Sequence, residues 1–364
     1  MTTRTRLLKP ARLVALTTVA AAALVAATTT SAATSAPTPA GTNLAPVKSY
    51  LLRHTVLLTR FTKDFRSSAN RYYATAKAAD FDYTALASRQ RAAVARELAR
   101  AKALWIKGNP YYERVEGVVA GTPSLAVYDV ILDAGSSAQE DPASAVPFDL
   151  TLRNGIVLKK PGNLYNLTEG MLWGTRPDLV AAKADLDGDG KVEFGEVLPD
   201  AHALAAAADA FVLYAGKLDQ SAKAWKPTAS DAFTSVVVMV PTMSEYFGQW
   251  KVSRFVLGDK AKGDSFNVVS RLSDIGDILG GLRVIYAGIG PAIAKVDPQQ
   301  HAQTKRELDS LWGYVGKLRS QERSGTRFRP SQAETLGRTA QERATAIAGQ
   351  VTQAAARLKV KIAQ

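Results

Sequence analysis

Val47-Lys48-Ser49-Tyr50-Leu51-Leu52-Arg53-His54-Thr55-Val56-Leu57-Leu58-Thr59-Arg60-Phe61-Thr62-Lys63-Asp64-Phe65 is the stretch on which the fold class turns. Val47, Leu51, His54, Leu58, Phe61 and Phe65 recur at spacings of three and four, and Tyr72 continues the series seven residues on. Side chains at those spacings share one face of a helix, so the stretch reads as a long helix with a single apolar stripe. The same period governs most of the chain outward from it.

A second helix is expected over 84–107, with Leu86, Val94, Leu98, Leu104 and Trp105 inward, and Gly108-Asn109-Pro110 stops it and starts the next. Pro142, Pro147, Pro161 and several glycines mark irregular structure between 134 and 176. Inside that region 148–158 reads as a small β-hairpin, because Asn154-Gly155 is the favoured pair for a two-residue type I′ turn. Helices are expected at 177–184, 200–225, 230–256 (interrupted or begun by Pro241), 267–289, 299–323 and 331–362. No repeat of the roughly 20–50-residue kind that marks a solenoid is present. The fold class is therefore mainly α. Two packed helical bundles, over 43–133 and 201–364, are joined by an irregular connection over 134–200 that holds the hairpin.

The connection also carries the clearest chemical motif. Asp185-Leu186-Asp187-Gly188-Asp189-Gly190-Lys191-Val192-Glu193-Phe194-Gly195-Glu196 fits a twelve-residue EF-hand calcium loop. Carboxylates stand at positions 1, 3, 5 and 12, and glycine at position 6 permits the sharp turn around the ion. Asp185, Asp187 and Asp189 would each give Ca2+ one oxygen, Lys191 its backbone carbonyl and Glu196 two, with Glu193 reaching it through water. An acidic, glycine-rich surface turn explains the Asp-Gly pairs but not carboxylates in phase with Gly190. EF-hands that act as sensors work in pairs. No second loop is found, and Asp259 to Asp264 lacks both the phase and the terminal glutamate. Pro199 cannot donate within a helix, so it suits the first position of the helix that follows. These features predict a structural calcium staple rather than a switch.

Arg4, Arg6, Lys9 and Arg12 precede an apolar run from Leu13 to Ala27, and Ser31-Ala32-Ala33 offers a cleavage site. That order is a secretory signal peptide over 1–33, followed by a disordered linker over 34–42; an uncleaved anchor is the other reading. A secreted or extracytoplasmic chain with no transmembrane segment after cleavage near Ala33 is expected. Loss of the four signal charges takes the formal net charge from +13 to +9. A basic exported monomer suits anionic cell-wall polymers as partners, and no arginine run or aromatic-interleaved patch points to nucleic acid. The chain has no cysteine, which excludes disulfides, thiolate metal sites, cysteine catalysis and a lipidated cysteine anchor.

Other chemistry is sparse. His54, His202 and His301 are the only histidines and fall on separate expected helices without a zinc-hydrolase spacing. His54, on the apolar stripe, reads as a core histidine. Met243, Glu245, Tyr246, Trp250 and Arg254 could line an inter-bundle pocket, but a buried helix with an ion pair is the simpler reading. Asp274 and Asp277 share a helix face, and Ser273 before them favours a solvated pair at a helix start. No nucleophile elbow or phosphate loop occurs.

Gly121-Thr122-Pro123-Ser124-Leu125-Ala126-Val127-Tyr128-Asp129 and Val240-Pro241-Thr242-Met243-Ser244-Glu245-Tyr246-Phe247, continuing to Ser270–Asp274 and Gly281–Gly288, resemble the imelysin family in order and spacing. The resemblance covers most of the chain. It implies an exported protein of two related four-helix bundles, associated with iron uptake and once classed with metallopeptidases. The family's Gly-x-His-x-x-Glu motif, aligned on Gly121, meets Pro123 and Ala126, neither of which can ligate a metal. The scaffold carries over by this reading; the iron motif does not. Two functions follow: a non-enzymatic, calcium-stapled binding or scaffold protein of the envelope linked to metal uptake, or an extracellular hydrolase with a diverged metal or carboxylate site.

Overall fold

The stripe that opens at Val47 builds α1 (Ala45–Ala78), and Val47, Leu51, His54, Leu58, Phe61, Phe65 and Tyr72 are all buried on it. The computed structural model describes residues 38–261 and 266–363. The signal-peptide reading of 1–33 and residues 34–37 of the linker lie outside the described residues.

The expected helix at 84–107 is two: α2 (Tyr83–Arg89), capped by the Asp82 carboxylate, and α3 (Arg91–Val119). Gly108-Asn109-Pro110 does not end α3, contrary to expectation. Pro110 sits inside the helix, and packing on both flanks holds the chain through it. At Gly108 α1 crosses so closely that a Cβ would stand 2.2 Å from the Phe61 ring. The Asn109 amide donates to Asp274 across the helix interface at 3.1 Å.

After α3 come α4 (Ala126–Asp129) and a π-helical turn (Val130–Ala134) that continues it. In the hairpin, β1 (Leu150–Thr151) pairs antiparallel with β2 (Val157–Leu158), in register Leu150 to Leu158. The turn differs from the type I′ expectation. Only Gly155 has positive φ, at +87°, and the Gly155 N–H donates to the Leu152 carbonyl. This is a three-residue loop with glycine at the left-handed position. The supposedly irregular region also contains a buried helix, α5 (Leu164–Trp173), whose apolar residues show no clean stripe because it is enclosed on nearly every side.

The calcium-type loop lacks the helix expected before it. A 3-10 turn (Pro177–Leu179) leads into β3 (Val180–Lys183), which pairs antiparallel with β4 (Val197–Pro199), so the loop sits on a short ribbon. Pro199 is therefore the last strand residue and not the first helical one; Asp200 caps α6 (Ala201–Ala224) instead. The remaining helices are α7 (Ala229–Met239), α8 (Met243–Val252), α9 (Arg254–Leu257), α10 (Arg271–Val296), α11 (Pro298–Arg323) and α12 (Pro330–Arg357). As expected, Pro241 interrupts the 230–256 segment, in a 3-10 turn between α7 and α8.

The architecture is mainly α. α1 packs on α3 and α6; α10 packs on α11, α7 and α8; and α12 covers α8, α7 and α11. The boundary expected at 200/201 does not follow the packing, because α6 joins α1 rather than the later helices. α3 lies against α10, and one continuous apolar core runs through both helical sets. A Cβ at Gly281 of α10 would stand 2.4 Å from the Arg114 carbonyl of α3, so this seam is closed by backbone contact. α10 is long and apolar enough to cross a membrane, but 61% of that window is buried within the protein, as befits a core helix.

Candidate metal centre

The α3–α10 seam holds an unusual amount of charge. On α3 Asn109, Tyr112, Glu113 and Glu116 follow one another at helical spacing and are all buried. Asp129 ends α4, and Asp133 lies one turn on in the π-helical segment. α5 adds Tyr165 and Glu169, α8 adds Tyr246, and α10 adds Arg271 and Asp274. Six carboxyl groups (Glu113, Glu116, Asp129, Asp133, Glu169, Asp274) thus gather at the seam, and among the described residues the guanidinium of Arg271 faces Asp274, Asp133 and Glu113.

Some of these groups are satisfied. The Tyr112 hydroxyl donates to Asp129 at 2.5 Å, the Tyr246 hydroxyl donates to Glu116, and Arg271 Nη1 donates to Asp274 at 3.0 Å. Glu169 Oε1 accepts from the Val268 N–H at 2.6 Å. Glu113 is different. It is 0% exposed, and among the described residues neither of its carboxylate oxygens receives a hydrogen bond. One oxygen of Glu116, the Tyr165 hydroxyl and Arg271 Nε are likewise buried without a partner. An oxygen from each of Glu113, Glu116 and Asp133 lies within 4.8 Å of the other two.

Burial and mutual repulsion act in the same direction here. Burial first, then the neighbouring carboxylates Asp274 and Asp133, pushes Glu113 well above the usual carboxylate range. Glu116 moves the same way, chiefly by burial. Burial raises Asp129 to about 7, against the Tyr112 hydrogen bond, and raises Glu169 to about 7, against the Val268 N–H. Asp274 rises to about 6 because burial outweighs Arg271. Burial opposes the charge on Arg271, but Asp274, Asp133 and Glu113 outweigh it and hold the guanidinium protonated. Such a group of carboxyls can be stable in two ways: by keeping protons, or by enclosing a cation. Its oxygen-only donors suit a hard ion of the calcium, magnesium or manganese kind.

The residues singled out from the sequence are distributed otherwise. Asp185, Asp187 and Asp189 do converge, with one oxygen of each within 4.8 Å of the others. The N–H groups of Gly188 and Gly190 donate to Asp185, that of Asp189 to Asp187, and that of Lys191 to Asp189. Glu196 closes the loop by accepting from the N–H groups of Leu186, Asp187 and Glu193, and these lower its pKa, Glu193 most. Arg91 of α3 stands 3.7 Å from Asp185, and Lys102 donates to the Gly195 carbonyl at 2.7 Å.

Asp274 is not the solvated helix-start residue expected: it is 2% exposed and paired with Arg271, while Ser270 caps α10. Asp277 lies 3.6 Å from Arg114. The expected ion pair on the 243–254 segment does not form: Glu245 is exposed and accepts from Gln249, and Arg254 stacks over Phe266. Trp250 instead donates to Glu322 at 2.6 Å. His54 is a core histidine, its Nδ1 2.9 Å from the Tyr50 carbonyl; His202 packs on Phe81, and His301 on Tyr286.

Sequence reading missed Glu113, Glu116, Asp129 and Asp133. Its available signal was Glu113-x-x-Glu116 inside an otherwise apolar helix face, followed by Asp129-x-x-x-Asp133. No curated protein matches the chain. The family model described as Imelysin, which bears the name Peptidase M75, matches residues 50–357, and the chain belongs to the imelysin family.

Proposed function

We propose that this protein is an exported, non-enzymatic cation-binding member of the imelysin family, with a hard multivalent cation as its cargo and calcium as a structural staple. One observation carries the reading: Glu113, fully buried, has two carboxylate oxygens that meet no donor among the described residues, beside Glu116 and Asp133. A buried carboxylate without a donor carries a desolvation penalty of several kcal/mol, which a bound cation offsets directly. Glu113, Glu116 and Asp133 would hold the ion, and Asp129 and Asp274, already engaged by Tyr112 and Arg271, would stand around it. The ion would supply charge compensation there; iron is the cargo that the family resemblance implies.

The histidine-based motif is replaced rather than simply lost in this reading. Pro123 and Ala126 cannot ligate, and the carboxylates on α3 and the π-helical turn provide an oxygen-only set instead. The loop at Asp185, Asp187, Asp189, Lys191 and Glu196 holds Ca2+ and fastens the β3–β4 ribbon to α3. The family name Peptidase M75 denotes hydrolysis. Against turnover here, Asp277 and the three histidines are engaged elsewhere, and Glu245, whose charge reaches Arg271 and Asp133, is exposed and bonded to Gln249. Metal analysis of protein from its own host, with calorimetric titration of Mn2+ into the metal-stripped chain, tests the reading. A Mn2+ site lost in Glu113→Gln with Glu116→Gln supports it; equal binding by that variant removes it.

A further inference from the structure

We propose that the polar cavity lined by Glu169 and Arg271 is the port to the buried carboxylates, and that the calcium loop supports its Phe266 wall from outside through Phe194; this rests on the two binding readings above. The cavity measures about 270 Å³ and is lined by Gly135, Asn163, Thr175, Glu169, Phe266 and Arg271 among others. Glu169 and Arg271 belong to both the cavity and the charged cluster, and Ala134, at the cavity, directly follows Asp133. A hydrated cation needs polar walls to shed its water against; the amides of Asn163 and Asn166 and the carboxylates of Glu140 and Glu169 line this cavity, and the guanidinium groups of Arg176 and Arg271, also on its wall, are paired with Asp178 and Asp274.

One wall of the cavity is tied to the calcium loop. The Val268 N–H donates to Glu169, which anchors the segment on the cluster side. The Phe266 ring stands 6.4 Å from Trp173, the last residue of α5, and 4.7 Å from Phe194 of the loop. Phe194 lies between Glu193 and Glu196, so its position follows the loop's ligand positions. The next residue, Gly195, gives its carbonyl to Lys102, and the Lys102 ammonium lies 5.7 Å over the Trp173 ring. The loop therefore touches both the Phe266 wall and the end of the helix that carries Glu169. Phe194 is 49% exposed, so Phe266 is what seats it. Without a cation the loop carboxylates repel one another, the loop loosens, and Phe194 leaves Phe266. Calcium thereby orders the wall through which the cargo cation reaches Glu113.

Hydrogen exchange and calorimetry test the coupling. Calcium should slow amide exchange over residues 266–269 by about tenfold in the wild-type chain. Phe194→Ala should still bind calcium, more weakly because the coupled contact is lost, and at saturating calcium should show no slowing. Calcium bound by the wild type without any slowing overturns the coupling, as does slowing retained in Phe194→Ala. Calorimetry that finds no calcium in the loop removes the calcium reading and the coupling with it. The Glu113→Gln, Glu116→Gln variant should keep the calcium effect; its loss would place calcium at the buried carboxylates and overturn the assignment to the loop. The port is tested by Thr175→Trp and, as a second obstruction, Asn267→Trp, both among the residues that line the cavity. Each should slow Mn2+ uptake about tenfold in stopped-flow fluorescence without changing equilibrium affinity. Wild-type uptake rates in both folded variants would dismiss the port.

Discussion

Glu113 concentrates the chemistry of this protein in one side chain. It sits on a helix face with Tyr112, Glu116 and Asn109, where an apolar residue would ordinarily be, and no donor among the described residues reaches it. Because burial favours the neutral carboxyl form of Glu113, which glutamine matches in shape, Glu113→Gln should leave the cation-free protein folded with a nearly unchanged melting temperature. Cation affinity should fall by at least about 10–100-fold, the loss that removal of even an outer partner causes at metal sites. Calorimetry with Mn2+ reads both effects, and wild-type affinity would show that Glu113 holds nothing. Gly108 is the structural counterpart. A methyl group there meets the Phe61 ring at 2.2 Å, so Gly108→Ala should destabilise by about 1–3 kcal/mol in urea unfolding, the usual cost of overpacking.

Among the elements, the β3–β4 ribbon and its loop behave as a unit. Outside the loop the ribbon has only short strands, and Lys102 and Arg91 attach it to α3. A calcium site filled to about ten times its dissociation constant stabilises by roughly 1 kcal/mol. Chelation should therefore lower the melting temperature by about 1–2 °C for a chain of this size. Glu196→Gln should reproduce that loss and be insensitive to chelator. A melting temperature indifferent to calcium would dispose of the staple. The convergence of Asp185, Asp187 and Asp189 was legible in the sequence because the proposed ligands lie within twelve consecutive residues. The ribbon was not, since Val180–Lys183 becomes a strand only by pairing with Val197–Pro199, and nothing local to 180–183 announces that partner. Likewise Pro110 looks like a stop in isolation, yet packing carries α3 through it.

At the scale of the whole molecule, the charged seam makes stability depend on pH. Asp129 and Glu169 titrate at about 7 and Asp274 at about 6 in the folded protein, above the roughly 4 expected for unfolded carboxyls. The folded state therefore binds more protons between those values, and stability falls as pH rises through 6–7. The cation-free protein should melt lower at pH 8 than at pH 5.5, and Mn2+ should restore the difference at pH 8. A melting temperature that rises across that interval would contradict the assignment. Local chemistry alone was enough for the sequence to determine the helical class, the long α1 stripe, the Pro241 break and the calcium-type loop, since each depends on residues within a few turns of one another. Only the tertiary structure decided the candidate metal centre. Asn109 and Asp274 meet across 165 residues of chain, and Asp129, Asp133 and Glu169 join them from three other segments. Periodicity shows which side chains share a helix face; which faces meet depends on the close approach of α3 to α10.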